Sequence, residues 1–179
     1  MSRYRYCPVC SSALIPGFHG GRERLGCSNP HCGFVHWDNP TPVVGAIAER
    51  DGVVIQVRSH GWPAGWYGLI TGFLEAAETP EEGVLREVEE EIGLAGAVVG
   101  LVGLYPFERM NQILMIYHVE LGDGEVVLDS AELDGWRSVP FDELHPWASG
   151  TGYALRDWMA QRGRHFADDE LLQLSARGR

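Results

Sequence analysis

The segment from Gly72 to Leu94 constrains the fold more than any other part of this chain, because it predicts a helix with both ends marked. Thr79 is a candidate N-cap, Pro80 occupies the first helical position, and Glu82 can close a capping box. Gly93 can adopt the left-handed conformation that ends a helix. The sequence therefore predicts a helix that begins after Thr79 and ends at Gly93.

This predicted helix has one apolar face and one acidic face. At about 100° per residue, the apolar face carries Leu85, Val88 and Ile92. The acidic face carries carboxylates spaced at i, i+3 and i+4, which are Glu87, Glu90 and Glu91. Such a stripe is either a solvated surface or a site for a divalent cation, since Mg²⁺ and Mn²⁺ prefer hard oxygen ligands. Composition alone leaves both interpretations open.

The whole segment matches the pattern G-x5-E-x7-R-E-U-x-E-E-x-G-U, in which U is an aliphatic residue. The matching positions are Gly72, Glu78, Arg86, Glu87, Val88, Glu90, Glu91, Gly93 and Leu94. The segment therefore resembles the Nudix box, and the chain is identified as a member of the Nudix hydrolases. The resemblance implies an α/β fold, the Nudix α/β/α sandwich with a mixed sheet.

The net charge limits the binding partners. The 179 residues carry a formal net charge of −11, and all 14 formal positive charges are arginines. Because an acidic surface repels a phosphate backbone, nonspecific nucleic-acid binding is not expected, whereas a phosphorylated small molecule can be held through bound cations. The N-terminal residues do not resemble a signal peptide and no apolar run could span a bilayer, so we expect a cytoplasmic protein with no membrane partner.

Four cysteines lie in two groups, Cys7-Pro-Val-Cys10 and Cys27-Ser-Asn-Pro-His-Cys32. Cytoplasmic cysteines stay reduced, and two pairs on tight turns are typical of a zinc ribbon. We predict a structural Zn²⁺ bound by Cys7, Cys10, Cys27 and Cys32, because four protein ligands leave no position for water. The wide spacing of the second pair leaves His31 as a competing ligand, and free thiols that merely pack are the other alternative.

The order of predicted elements suggests the domain organisation. We expect a zinc ribbon in residues 1–38, a Nudix hydrolase domain in 39–163 and a C-terminal tail in 164–179, with a short helical signal at Asp168 to Leu174. Strands are predicted at residues 43–49, 53–58, 69–71, 97–104, 113–120, 126–128 and 136–139, and a last helix from Thr151 or Gly152 to about Arg162. This order predicts a mixed sheet between helical layers.

A zinc ribbon directly before a Nudix domain resembles the bacterial NADH pyrophosphatases, and so does the run Asp129-x-x-Glu132-Leu. The resemblance implies that Glu87, Glu90 and Glu91 bind the catalytic Mg²⁺ or Mn²⁺, with Glu132 as a further ligand or base. For Glu132 alone, an ordinary solvated residue is the alternative. The resemblance also implies that Glu78 lies near the metals and that Arg86 orients the glutamates by ion pairing. Related enzymes with this ribbon are homodimers, so a homodimer is expected.

The chain departs from these relatives in two places. They carry a further domain before the ribbon, whereas here the ribbon begins at Cys7. They also carry the signature S-Q-P-W-P-F-P after the box, and the equivalent run here, Leu104 to Met110, retains only Pro106. The identity of the substrate is therefore open. Candidate substrate-binding residues are Phe73, Tyr105, Phe107 and Arg109, and an ordinary strand-connecting loop is the alternative for the last three.

The expected function is divalent-metal-dependent hydrolysis of a pyrophosphate bond, by water attack on phosphorus. The substrate would be a nucleoside diphosphate linked to another moiety, such as NAD(H) or ADP-ribose. One alternative is a non-catalytic module that senses a nucleotide or binds through the ribbon, although an intact glutamate set favours the enzyme. A second alternative is removal of a dinucleotide cap from RNA, with the ribbon as an RNA contact. The ribbon is locally basic through Arg3, Arg5, Arg22 and Arg24.

Overall fold

The computed structural model describes residues 4–171. The chain divides into two compact units, one up to Pro40 and the other from Thr41 onward. Because the described residues end at 171, the tail predicted for residues 164–179 is described only in part. A helix does begin at Asp168, but the rest of the predicted helical signal to Leu174 lies outside the described residues. Among the helices within residues 4–171, none is long and apolar enough to cross a membrane.

The first unit contains a three-stranded antiparallel sheet. Its strands are β1 (Leu14–His19), β2 (Arg22–Cys27) and β3 (Val35–His36), in the order β1-β2-β3. Gly20 and Gly21 connect β1 to β2 with φ values of 57° and 79°. A two-residue turn with positive φ at both positions matches the twist of a hairpin, and glycine adopts it without steric cost.

The second unit is built on a mixed six-stranded sheet. Its strands are β4 (Thr41–Arg50), β5 (Val53–Ser59), β6 (Ile70–Phe73), β7 (Gly96–Phe107), β8 (Gln112–Leu121) and β9 (Leu133–Pro140). The order is β7-β8-β4-β5-β9, and β6 pairs with β4. The β4–β8 pair is parallel and the other pairs are antiparallel. The predicted mixed sheet is confirmed.

Helix α1 (Pro80–Ile92) forms where the sequence predicts it. The Glu82 amide donates to the Thr79 hydroxyl at 3.2 Å, and the Thr79 amide donates to the Glu82 carboxylate at 2.8 Å, which completes the capping box. Gly93 ends the helix with φ 69° and its amide donates to Glu89. The local sequence therefore fixes both ends of the helix that carries the acidic stripe.

Helix α1 and the helix formed by Gly152–Ala160 lie on opposite faces of the sheet. The alternating residues of β4 divide between two core clusters, with Val44 and Ala46 in one and Val43 and Ile47 in the other. The first cluster contains the buried apolar residues of α1, namely Val84, Val88 and Ile92, and the predicted Leu85 packs against it partly buried. The second contains the buried residues of α2 (Gly152–Ala160), namely Ala154, Leu155, Trp158 and Met159. The predicted α/β/α sandwich is confirmed.

Two segments differ from expectation. Val126–Leu128 is not a strand, because its backbone docks on the end of α1, where the Val127 amide donates to the Ile92 carbonyl at 2.9 Å. Residues 105–107 are not a loop, since β7 continues to Phe107 and a short 3₁₀-helix, Glu108–Met110, makes the connection. Pro106 does not interrupt β7 although proline cannot donate to a ladder, because β7 is an edge strand of the sheet.

Candidate active site and metal centre

The four cysteines of the first unit converge on one point. Their sulfur atoms all lie within 4.8 Å of one another, with 3.6 Å between Cys7 and Cys32 and 3.4 Å between Cys10 and Cys27. These separations are too long for disulfides, and the cysteines are free. A tetrahedral zinc with Zn–S bonds of about 2.3 Å would separate its sulfurs by about 3.8 Å, so the four thiols fit Zn²⁺.

The backbone around each cysteine pair forms a tight turn. In the first turn the Ser11 amide donates to the Cys7 carbonyl at 2.9 Å and the Val9 amide donates to the Cys7 sulfur at 3.4 Å. In the second turn, the Asn29 side chain accepts a hydrogen bond from the His31 amide at 3.0 Å. This side-chain-to-backbone bond closes a turn that accommodates the two extra residues between Cys27 and Cys32. His31 is exposed and is not part of the sulfur cluster found among residues 4–171.

A cavity of about 570 Å³ lies beside the acidic face of α1. It is lined by residues from β6 and the segment that follows it, from α1, and from the segment before β9: Thr71, Gly72, Phe73, Glu75, Arg86, Glu87, Glu90, Glu91, Asp129 and Glu132. The structure therefore brings together the three glutamates of the predicted stripe, Arg86, Glu132 and Phe73. It adds Asp129, which we did not predict as a site residue although it opens the Asp129-x-x-Glu132 run.

Arg86 ties three predicted site carboxylates together. Its guanidinium donates to both oxygens of Glu78 at 3.0 and 2.7 Å, to Glu87 at 2.8 Å and to Glu90 at 2.9 Å. It also donates to the Phe73 carbonyl at 3.1 Å, which holds the segment that follows β6. The hydrogen bonds from Arg86 lower the pKa of Glu78 to about 2, so that this carboxylate stays ionised.

Glu87 and Glu91 are buried in an environment that disfavours their charge. Burial raises the pKa of Glu87, with Arg86 opposing that effect. Burial raises the pKa of Glu91 to about 8, and the nearby charges of Glu87, Glu132 and Asp129 act in the same direction. Oε1 of Glu91 accepts a long hydrogen bond from the Thr71 amide at 3.4 Å, whereas Oε2 is buried without a partner.

This unpartnered oxygen tests whether the site suits a cation. A buried carboxylate oxygen without a hydrogen bond is costly, and here it lies among further carboxylates. A divalent cation with hard oxygen ligands would both satisfy the oxygen and offset the mutual repulsion. The donor set of the cavity therefore fits a divalent metal.

The segment before β9 is held against the end of α1. The Asp129 amide donates to the Glu91 carbonyl at 3.1 Å, next to the bond from Val127 to Ile92. These two bonds satisfy carbonyl groups that a helix leaves free at its C-terminus. They place Asp129 and Glu132 on the cavity side of α1, close to the carboxylate of Glu91.

The loop after β5 also contacts this acidic segment. The His60 amide donates to the Glu132 carbonyl at 3.0 Å, and its Nε2 lies 3.1 Å from the Ser130 carbonyl. Nδ1 of His60 lies 3.9 Å from the Asp134 carboxylate, which also accepts from Arg58. His60 therefore spans the segment from Ser130 to Asp134.

The predicted substrate-binding residues do not all lie together. Phe73 lines the cavity and its side chain is 55% exposed. Tyr105 and Phe107 pack against the second core cluster, on the α2 side of the sheet, and the Tyr105 hydroxyl donates to Asp157 at 3.0 Å. Arg109 is exposed in the 3₁₀-helix. Among the four candidates, Phe73 is thus the one that lines the cavity.

Comparison with known proteins assigns the class. Residues 39–159, more than half of the chain, match the NUDIX domain family. The chain therefore belongs to the Nudix family, as the segment from Gly72 to Leu94 predicted. A crystal structure of a Nudix hydrolase from Nitrosomonas europaea superposes with a TM-score of 0.74 at 26% identity, covering 92% of this chain and 97% of that one.

Two relatives with a more specific name match most of this chain. The NAD-capped RNA hydrolase NudC of Pseudomonas aeruginosa is 28% identical over 142 residues, which is 79% of this chain and 50% of that protein. The protein of the same name from Vibrio vulnificus is 26% identical over 157 residues, which is 88% of this chain and 58% of that protein. The chain thus spans between half and three-fifths of the length of these two relatives.

Proposed function

We propose that this protein hydrolyses the diphosphate bond of a dinucleotide of the NAD(H) type, with a divalent cation bound by Glu87, Glu90 and Glu91. Asp129 and Glu132 complete the acidic lining from the opposite segment. The observation that carries this proposal is the buried, unpartnered oxygen of Glu91 in a cavity lined by further carboxylates. A surface stripe that served only solubility would leave its carboxylates in water.

The chemistry divides between the cation and the protein. A bound Mg²⁺ or Mn²⁺ would polarise phosphoryl oxygens and lower the pKa of water, while the protein supplies positioning and electrostatics. Arg86 holds the carboxylates of Glu87 and Glu90 in place through its hydrogen bonds. Glu78 is the weakest candidate for the general base, because a pKa of about 2 makes it a poor proton acceptor. The base then lies among the remaining glutamates of the cavity.

The substrate class is supported by the relatives. Proteins named NAD-capped RNA hydrolase match across most of this chain, which supports a nicotinamide dinucleotide, either free or at the end of an RNA. Phe73, half-exposed where the backbone leaves β6, is available to stack on a base or a nicotinamide ring. Tyr105, Phe107 and Arg109 stay candidate substrate contacts, with the packing of Tyr105 and Phe107 favouring a structural role.

Two matched variants test the assignment. Glu90→Gln removes a carboxylate that lines the cavity, and Glu89→Gln makes the same change on the exposed side of the same helix. With Mg²⁺ or Mn²⁺ and a panel of NADH, NAD⁺, ADP-ribose, FAD and NAD-capped RNA, we expect Glu90→Gln to reduce turnover by about a hundredfold or more. Glu89→Gln should retain it. Products would be separated by chromatography.

The outcomes separate the candidate functions. Equal turnover by folded Glu90→Gln and wild type would remove the stripe from the mechanism. No turnover by wild type on any substrate, together with tight metal-dependent nucleotide binding, would favour the sensing module. Faster cleavage of the capped RNA than of the free dinucleotide would favour cap removal. The homodimer and the cytoplasmic location stay predictions, and sedimentation of the purified chain tests the first.

A further inference from the structure

The hairpin of β1 and β2 presents one face whose centre carries no Cβ. Directly paired residues project to the same side of a sheet, and the pairs Ile15–Gly26, Gly17–Arg24 and His19–Arg22 all share this face. Two of the six positions are therefore glycine. The face offers an aliphatic side chain, an imidazole and two guanidinium groups around a floor of backbone.

The His19 ring lies over the glycine floor. A Cβ added to Gly26 would lie 2.5 Å from Nε2 of His19, and one added to Gly17 would lie 2.9 Å from it. Both distances are shorter than side-chain contacts allow, so the ring occupies space that only glycine leaves open. The imidazole is thereby packed against the backbone of the two glycines, and His19 is half-buried.

Arg24 stacks on the ring of Trp37 beside His19. The Arg24 guanidinium lies 4.9 Å from the centre of the Trp37 ring. It donates to the Trp37 carbonyl at 3.3 Å and to the His19 carbonyl, which leaves its Nη2 hydrogens outside these bonds. Trp37 also lies against Gly20, where a Cβ would be 2.9 Å from the ring, yet the residue is 50% exposed.

Charge is distributed unevenly along the chain. Residues 1–40 contain four arginines and two acidic residues, whereas residues 41–179 contain ten arginines and 23 acidic residues. The basic excess is thus confined to the unit that carries this face, and Arg22 and Arg24 both lie on the face itself. A polyanion would be attracted to this face and repelled by most other surfaces.

We propose that this face, the ribbon platform (Ile15, His19, Arg22, Arg24 and Trp37), binds single-stranded RNA. Base stacking on exposed aromatic rings together with arginine contacts to phosphates is the mode by which proteins hold single strands without reading their sequence. The bases would stack on Trp37 and His19, and Arg22 and Arg24 would contact phosphates. The inference extends the RNA substrate of the proposed function, but binding at the platform requires no hydrolysis.

The test measures binding of an uncapped, fluorescently labelled single-stranded RNA of about 20 nucleotides to the full-length, zinc-loaded protein. Arg22→Gln combined with Arg24→Gln should weaken binding at least about fivefold at low salt and reduce the slope of log affinity against log salt by about 1.4. Trp37→Ala should weaken binding by about tenfold. Arg5→Gln, outside the strands, and Phe18→Ala, an aromatic on the other face of the hairpin, are the controls.

Cleavage of free NADH by each variant keeps the two proposals apart. Platform variants that lose RNA affinity but retain NADH cleavage support the platform, and their zinc content confirms that the first unit is folded. RNA affinity equal to wild type in the double arginine variant, or an equal loss in the Arg5→Gln and Phe18→Ala controls, would overturn it. Competition by a polyaspartate peptide as effective as RNA, with no effect of Trp37→Ala, would also overturn it and indicate an acidic protein partner.

Discussion

The carboxylate of Glu87 lies directly against the backbone of Gly72, so close that a Cβ on Gly72 would be 1.9 Å from its carboxyl carbon. The first position of the Nudix box is therefore glycine, because a glutamate from α1 occupies the space that a side chain would fill. Arg86 donates a hydrogen bond to the same carboxylate at 2.8 Å. The position of the Glu87 carboxylate thus depends on both the Gly72 backbone and the Arg86 guanidinium.

Replacing Gly72 by alanine should displace this carboxylate. We expect Gly72→Ala to lower turnover by about a hundredfold and to weaken binding of Mn²⁺, because the added methyl group forces Glu87 away from its neighbours. Gly100→Ala is the control, since a Cβ at Gly100 meets nothing within 4 Å. Steady-state kinetics and calorimetric metal titration would measure the effect. Normal metal affinity in Gly72→Ala would show that the position of Glu87 is not critical.

The buried Glu91 should make stability depend on pH. Its pKa is about 8 in the folded protein and 4.5 in the unfolded chain, so the folded state retains a proton that the unfolded state has lost between these values. Without added Mg²⁺ or Mn²⁺, the free energy of unfolding should therefore fall as the pH rises from about 4.5 to about 8. One pKa unit corresponds to about 1.4 kcal/mol, so the decline amounts to a few kcal/mol at most.

Denaturant titrations at several pH values would show whether Glu91 is the cause. Glu91→Gln should flatten the decline, whereas Glu89→Gln, which changes an exposed carboxylate, should leave it unchanged. Added Mg²⁺ should stabilise wild type most at high pH, where binding no longer has to displace the proton. A decline of the same size in Glu91→Gln would assign it to another group.

Removing the metal from the cysteine cluster should unfold the first unit. Its sheet has short strands and few buried apolar residues, so we expect Cys10→Ser to lose bound zinc and protection of residues 4–40 in hydrogen exchange. His31→Ala should retain one zinc per chain, because His31 lies outside the sulfur cluster. Zinc release by His31→Ala would instead make His31 a ligand.

His60 should position the acidic segment before β9. We expect His60→Ala to raise the concentration of Mg²⁺ needed for half-maximal activity several-fold while changing the turnover at saturating Mg²⁺ less, because the ring contacts Ser130 and Asp134 rather than the cavity. His60→Gln should restore part of the effect, since its amide can donate to the same carbonyl. His145→Ala, another exposed histidine beside a carbonyl, is the control.

Local signals predicted α1 accurately. The capping box between Thr79 and Glu82 and the left-handed Gly93 depend on residues within a few positions of one another, so the sequence contains them in full. The acidic stripe follows from helical spacing in the same way. The mixed sheet followed from the order of the predicted strands and helices, and the strand ends in the second unit differ from prediction by up to three residues.

Contacts between segments far apart in the sequence could not be predicted from such local signals. The unpartnered oxygen of Glu91 and the packing of Gly72 against Glu87 arise only when β6, α1 and the segment before β9 meet. The sequence left Tyr105 and Phe107 open between a substrate contact and a connecting loop, whereas both belong to β7, whose edge position tolerates Pro106. Apolar residues in Val126–Leu128 resembled a strand, but their backbone pairs with helical carbonyls instead.

The hydrogen bonds from Val127 and Asp129 to the last carbonyls of α1 join the segment before β9 directly to the helix. The spacing between the carboxylates of these two parts of the site is therefore independent of the length of the chain between them. Strands β7 and β8 lie between Gly93 and Val127 in the sequence, but neither strand takes part in these two hydrogen bonds. Insertions or deletions at the tip of the β7–β8 hairpin would therefore change the length of the chain without changing the spacing of the carboxylates. One residue inserted between Val127 and Glu132 would shift that spacing directly. Insertions in this short segment would therefore be tolerated far less than insertions in the β7–β8 hairpin.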